Sequence, residues 1–499
     1  MTPTAGHADP GFSLPSGGLI VSSSTYVGTA ATVTIGQTLP GGGLAIADGT
    51  YPNVFKNNTV DGSFGVTSPI ILRQYRLSPD SRSAHLIGSL NVTERTGIVT
   101  SFSSKSELAL NLSTKRSALT FMGYNAPLNT LDVSNSNTPS HVDPTNPVAL
   151  TYQRAIVQIR SDRAPPLVTS VNTYSGNNGR AAILNDSYGS DVYYTVGNAG
   201  NGSGTQPTII VNNTGVQIAK PKTPDTIVVG ALQGTPGAAT GYQYGYSVTQ
   251  NGYAADKSGK DDNFRGETIF HNTLYVSKGS GSNGVDTVYQ VGASGTLPPE
   301  LTAAAAQFAI LPGFPTGLAK AISTDPTSAK FATTNFHPFG IWFANATTLY
   351  VADEGDGVNT PANAGQNPNA GLQKWILSGG TWRLAYTLQN GLALGEQYSV
   401  ANLDSSLDPA TDGLRNITGR SNGDGTVTIF GVTSTVSASG DQGADPNRLV
   451  SITDNLAATN LPANEKFNIL DTADYQQVLR GVAFSPCEDE DESRCLNHR

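Results

Sequence analysis

Short runs of alternating apolar and polar residues, each closed off by Gly, Asn, Asp or Pro, recur from residue 18 to residue 484. A period of two over a few residues between turn formers is the pattern of half-buried strands in antiparallel sheets. The clearest runs are 19–21, 70–75, 156–159, 208–211, 226–229, 273–276, 349–351 and 427–432. Only 299–309, with its alanine run at 303–306, reads as helical, and it reads as a loop insertion.

The runs are organised by a repeated phrase: a polar residue, two spacers, an Arg, a small residue, then an apolar strand. It occurs with Ser113 and Arg116, Asn177 and Arg180, Asp262 and Arg265, Asp412 and Arg415, and Gln477 and Arg480. A degenerate copy, Phe336-His337-Pro338-Phe339, stands between the third and fourth. Anchors at 116, 180, 265, 339, 415 and 480 are separated by 64, 85, 74, 76 and 65 residues. A unit of that length holds four strands with generous loops, and such units bury their faces by stacking around an axis. Six anchored units plus the strand-rich segment 18–99 predict an all-β fold: a single seven-bladed β-propeller of four-stranded antiparallel blades over 18–486. An N-terminal tail (1–17) and an acidic, Cys-containing C-terminal tail (487–499) flank it. Closure of such a ring predicts that 18–27 adds a strand beside 478–484.

Composition supports a turn-rich β protein and excludes some partners. The chain has 499 residues, 55 of them Gly, and only 13% are charged, about half the average share. The net charge is -9 and Lys and Arg are scattered, so no nucleic-acid partner is expected. No apolar run reaches the roughly 18 residues of a membrane span. No apolar signal segment follows Met1. Eight Asn-x-Ser/Thr sequons, at Asn57, Asn91, Asn111, Asn185, Asn201, Asn212, Asn345 and Asn416, together with the low Lys content, nevertheless predict a secreted, extracellular glycoprotein whose leader was removed. Cys487 and Cys495 flank an acidic run. In an oxidising compartment they would pair and pin only the tail; two free thiols are the alternative.

Several stretches resemble a family of uncharacterised secreted proteins of fungi and bacteria. They are Lys260-Asp-Asp-Asn-Phe-Arg-Gly266, Leu274-Tyr-Val-Ser-Lys-Gly-Ser-Gly-Ser-Asn-Gly284, Trp342-Phe-Ala-Asn-Ala-Thr-Thr-Leu-Tyr-Val-Ala-Asp-Glu354, Gly371-Leu-Gln-Lys-Trp375 and Gly413-Leu-Arg-Asn-Ile-Thr-Gly419. The resemblance covers roughly residues 18–486 and implies an extracellular propeller-like fold. It implies no activity, catalytic residue or ligand, and the tail from Cys487 departs from it.

The recurring Arg is the most specific chemical signal. Placed equivalently around the axis, Arg116, Arg180, Arg265, Arg415 and Arg480 form a ring of bidentate donors suited to a carboxylate, sulfate or uronic acid. Alternatively, the polar residue three positions earlier (Asn177, Asp262, Asp412, Gln477) holds each Arg as a structural tie. Asp353, Glu354 and Asp356 form an acidic turn with the oxygen density of a calcium site, although a solvated turn has the same sequence. The loops at Asp441 to Asp445 and Asn422 to Asp424 are similar. His337 sits in the one unit lacking the Arg. Asp262, Glu267, Asp353 and Asp412 could supply acid and base for glycoside chemistry, and Trp342, Trp375, Trp382 and Tyr350 could stack on sugars or form core. The expected function is an extracellular binding or cell-wall-associated propeller with a carbohydrate or small anionic ligand at the channel mouth. A hydrolase or lyase acting on polysaccharide or a lactone, and a structural matrix or filament protein, are the alternatives.

Overall fold

The structure is a computed structural model that describes residues 18–39, 44–55, 65–135, 152–162, 164–171, 173–174, 176–187, 191–198, 215–221, 229–230, 262–281, 283–300, 303, 306–323, 325–358, 364–438 and 443–487. In chain order the strands are β1 (Leu19–Thr25), β2 (Thr67–Leu77), β3 (Ala84–Asn91), β4 (Ile98–Ser101), β5 (Asn111–Leu112), β6 (Ala118–Asn125), β7 (Arg154–Arg160) and β8 (Leu167–Val171). They continue with β9 (Gly179–Asn185), β10 (Val192–Gly197), β11 (Gly215–Ala219), β12 (Val229–Gly230), β13 (Gly266–Phe270), β14 (Thr273–Lys278), β15 (Thr287–Val291) and β16 (Phe308–Ile310). The last are β17 (Pro338–Asn345), β18 (Thr348–Asp353), β19 (Gly371–Ser378), β20 (Thr381–Leu388), β21 (Ala410–Ser421), β22 (Thr426–Val436), β23 (Arg448–Asn455), β24 (Asn468–Thr472) and β25 (Gln477–Phe484).

These strands make four separate four-stranded antiparallel meanders, β9–β12, β13–β16, β17–β20 and β21–β24, and one nine-stranded sheet. The larger sheet consists of two further meanders, β25-β1-β2-β3 and β5-β6-β7-β8, bridged at one end by β4. The strands β5, β9, β13, β17, β21 and β25 touch one another in that order, and β25 returns to β5. The arrangement is therefore nearly all-β and propeller-like, with these six strands innermost.

The count of seven is corrected. The anchored unit at Arg480 has only β25 of its own, and β1, β2 and β3 complete it. The N-terminal segment is thus the missing part of the last unit and not an extra one. β1 lies between β25 and β2, pairing Leu19 with Phe484 on one side and Tyr75 on the other.

Strand periodicity explains how the ring is filled. Successive side chains point to opposite faces, and every sheet has a neighbour on both. Leu19 and Val21 join the cluster with Phe430, Val432 and Leu449. Ile20, between them, joins Leu119, Phe121 and Val157 on the other side. Similar clusters fill the remaining junctions: Met122 with Leu184 and Tyr193, Val196 with Val276 and Tyr289, Val288 with Val351 and Trp375, and Leu372 with Ile429 and Val450. Trp375 and Trp382 belong to this core and do not line an open surface. The expected helix at 299–309 is not seen at its C-terminal end, where Phe308–Ile310 pairs with β15; residues 304 and 305 of its alanine run lie outside the described residues.

Cys487 is disulfide-bonded, and its backbone ties the chain end to Arg116 and Ser161. Cys495, like the sequons Asn57, Asn201 and Asn212, lies outside the described residues. Asn185 and Asn416 are buried, and the Asn416 amide donates to the Arg480 carbonyl at 2.8 Å. That commitment inside the inner ring leaves no room for a glycan, which corrects the expectation at Asn416.

One polar tie holds two units together far from the axis. Lys374 on β19 reaches Asp454 on β23 at 2.9 Å, and both side chains are fully buried. Tyr386 donates to Asp454 at 2.6 Å and Tyr350 donates to its other oxygen. Removing one member leaves an uncompensated buried charge. Asp454→Ala is expected to lower the unfolding free energy by about 3–5 kcal/mol in urea titrations; a change below about 1 kcal/mol would contradict this.

Candidate functional site

The residue after each anchor explains how the inner strands approach. A Cβ on Gly266 would press on the Phe339 carbonyl, one on Gly340 on the Arg415 carbonyl, and one on Gly481 on the Leu108 carbonyl. Asn416 instead donates its amide to the Arg480 carbonyl. The small residue of the repeated phrase is thus where neighbouring backbones meet. These contacts make Phe339, Arg415, Arg480 and Leu108 successive ring positions. Arg116 is corrected accordingly: it occupies the turn between β5 and β6 with φ 65°, and Leu108 stands in its expected place.

The other anchors are all buried, and each has a different environment. Arg480 donates to the carbonyls of Phe102 and Gly443, the latter at 2.6 Å. Arg180 donates to the Phe264 carbonyl and to Asn263. Arg415 places Nε 3.3 Å from Glu354 Oε2. Arg265 lies over the Phe339 ring, 5.9 Å from its centroid, and its side chain makes no hydrogen bond or ion pair among the described residues; its Nε is buried without a partner.

The polar residues three positions earlier do not hold these arginines. Asp412 accepts from the Gly357 N–H at 2.9 Å, Asn177 from the Asn178 N–H at 2.9 Å, and Gln477 from Arg73 at 2.8 Å. Asp262 is fully buried.

Glu354, immediately after β18, sits at the centre of the charged end. Lys105 reaches it at 3.2 Å and Arg415 at 3.3 Å, and Arg265 is near enough to act on it electrostatically. Burial alone would raise this carboxyl, but Lys105, Arg265 and Arg415 together hold it at about 2. Its neighbours behave oppositely. Burial raises Asp353 to about 6, against the effect of His337 and the N–H groups of His337 and Gly355. Burial, with Asp356 adding to it, pushes Asp412 well above the ordinary carboxylate range. The cations are also destabilised. Burial lowers Lys105, Arg180 and Arg265, and Arg265 further lowers Arg180 by like-charge repulsion. Glu354, Glu107 and Asp286 act in the opposite direction.

His337 gives its backbone N–H to Asp353 at 2.8 Å and places Nδ1 3.2 Å from the Gly279 carbonyl, while Nε2 is buried without a hydrogen bond. Asp356 turns away to Asn335 and to the Val358 N–H. Asp353, Glu354 and Asp356 thus serve separate partners, and among the described residues no three His, Cys, Asp or Glu side chains gather as metal ligands.

Sequence reasoning missed Lys105, Glu107 and the Lys278–Asp286 pair, which is buried at 2.6 Å. Glu107 accepts from Thr100, the Ser101 N–H, Tyr124 and Asn178. Had the sixth ring position been read at Leu108, both Lys105 and Glu107 would have stood just before an anchor, where the other units carry their polar residues.

No family model matches the chain, and no curated protein does. The resemblance to secreted fungal and bacterial proteins therefore stands on the quoted residues alone. Among solved structures, the haemagglutinin-neuraminidase of parainfluenza virus 5 with the ligand DANA, soaked at pH 8.0, aligns over 84% of each chain at 10% identity and a TM-score of 0.35. The same protein soaked at pH 7.0 aligns over 84% of each chain at 9% identity and 0.34. A likeness that low carries neither fold nor function to this chain.

The Glu354 carboxyl generates a pH prediction. Its folded value lies below the ordinary 4.5, so the stability it contributes is present above pH 4.5 and lost as pH falls towards about 2. Glu354→Gln is expected to be less stable at neutral pH by about 3–5 kcal/mol and to lose less stability on acidification through that window. Urea titrations at a series of pH values check this; an acid slope equal to that of the unaltered protein would contradict it.

Proposed function

We propose that this protein binds a small anion, a carboxylate or sulfate group such as those of uronic acids and sulfated sugars, where the inner strands begin. The observation that carries the proposal is the buried guanidinium of Arg265, which has no hydrogen-bond or ion-pair partner among the described residues, within a cluster of four cations gathered around Glu354. A planar anion beside Arg265 would accept the parallel N–H bonds that no protein group takes, and it would offset the repulsion that Arg265 exerts on Arg180 and Arg415. Lys105, about a quarter exposed, gives this cluster its contact with solvent. On a protein of net charge -9, a cationic opening steers small anions to itself. The setting we propose is extracellular, with Asn91, at the surface N-cap of a short helix, as one position able to bear a glycan.

A second reading has one observation in its favour. Burial pushes Asp412 towards its protonated form, its Oδ1 has no hydrogen-bond partner, and it stands beside the same cluster. A proton donor next to an anion clamp would suit a hydrolase or lyase acting on an acidic saccharide. Turnover of an aryl uronide that disappears in Asp412→Asn would favour it over binding alone.

Binding and stability separate in the arginine variants. Arg265→Ala removes one of the charges that hold Glu354 ionised but no protein–protein hydrogen bond, so it is expected to weaken glucuronate, galacturonate or sulfated-sugar binding by at least about tenfold at a smaller cost in melting temperature than Arg415→Ala. Arg415→Ala is expected to lower both, because it uncovers Glu354. Calorimetric titration and thermal melts on the same preparations read the two effects. Absence of any anion binding to the unaltered protein would sink the proposal.

A further inference from the structure

The inner strands surround a cavity of about 710 Å³ that runs from Gly266, Gly340 and Asn416, just after the anchors, to Asn345 and Gly419, and whose lining does not include Lys105, Arg265, Glu354 or Arg415. We infer that this cavity is a second ligand site, distinct from the anion cluster, and that it takes a neutral saccharide. Its volume lies within the range of small-molecule sites. Its lining carries few charges: Arg116 and Glu267 are the only Lys, Arg, Asp or Glu side chains in it. Asn111, Asn345 and Thr418 offer amide and hydroxyl groups from three strands, and Trp342 and Phe270 offer apolar faces.

Glu267 decides the class of ligand. It is 95% buried by its 5% exposure, and neither carboxyl oxygen has a hydrogen-bond partner. Burial pushes it well above the ordinary carboxylate range, towards the protonated form that donates one hydrogen bond and accepts others. A hydroxyl group also donates and accepts, and it matches such a partner in both roles. A second anion would find only Arg116 to pair with. An amine would need the ionised form that burial disfavours.

The rim adds a surface for stacking. The His271 and Phe270 rings are stacked at 4.0 Å and 22°, and Phe270 stacks on Phe343 at 4.7 Å and 8°. His271 is exposed at the cavity edge. It and Asn272 hold φ of 46° and 56° in the β13–β14 turn, a conformation that glycine would adopt with less strain. Stacked in this way the rings cover one another's faces, and the exposed His271 ring at the end of the stack, next to hydrogen-bonding groups, suits a sugar, whose C–H face packs on an aromatic ring while its edge hydroxyls bond to polar groups.

The test is calorimetric titration of the full chain with cellobiose, maltose and N,N′-diacetylchitobiose. At least one is expected to bind saturably, with affinity kept within about threefold in Glu267→Gln, which preserves donor and acceptor, and reduced at least about tenfold in Glu267→Leu. Arg265→Ala is expected to leave this binding unchanged, so the anion site and this site can fail separately. Binding of none of the three sugars to the unaltered protein would overturn the inference, as would undiminished binding in a folded Glu267→Leu. Loss of binding in Glu267→Gln would overturn it by pointing to an ionised carboxylate and a cationic ligand. If Glu267→Leu does not fold, His271→Ala in the exposed turn decides: weakened binding supports the site, and unchanged binding overturns it.

Discussion

The charged end of the axis depends on one carboxylate. Glu354 is surrounded by Lys105, Arg265 and Arg415 and is held ionised at about 2, although burial works against it. Without it, several cations would face one another in a region shielded from water, where repulsion is strong. With it, the cluster is stable but still short of negative charge, since Asp353 and Asp412 are both driven towards their neutral forms. The same arrangement therefore explains the architecture and the proposed ligand. The ring brings an arginine to the axis from four of its six units; backbone carbonyls take up Arg180 and Arg480, Glu354 takes up Arg415, and Arg265 is left without such a partner among the described residues.

What brings these residues together is the closed stack of sheets. Strands near the axis are buried on both faces because each sheet has two neighbours, as the opposite destinations of Ile20 and Val21 show. The chain ends are fixed in one sheet by β1 between β25 and β2. Close approach of the inner strands is set by the small residue after each anchor, and this brings Arg265, Arg415 and Glu354 from three different units within electrostatic reach. Bridging contacts such as Lys374 to Asp454 hold neighbouring units at the outside of the stack.

Much of this was legible in the sequence, because it rests on local periodicity. The runs at 70–75, 273–276 and 427–432 are strands, and the anchors at 180, 339, 415 and 480 fall on innermost strands with 265 immediately before one. The unit count was less legible, because closure donates N-terminal strands to the last unit and a tally along the chain counts that unit twice. Arg116 copied the local phrase without its place in three dimensions; the ring position went to Leu108, which has no Arg to mark it. The Asp and Asn partners failed because Asp412 and Asn177 turn to the backbone N–H groups of Gly357 and Asn178 instead of to the arginines. Lys105 and the Lys278–Asp286 pair depend on contacts between segments distant in sequence, and no local spacing announces them.

The central claim is that the axis carries an unfilled demand for negative charge at Arg265. A crystal of the protein soaked in selenate and measured at the selenium edge tests it directly, because the anion is located by its own scattering. An anomalous peak within hydrogen-bond reach of the Arg265 and Arg415 guanidinium groups is the expected result. A well-ordered map with selenate only at the outer surface, and none beside Arg265, would contradict the account.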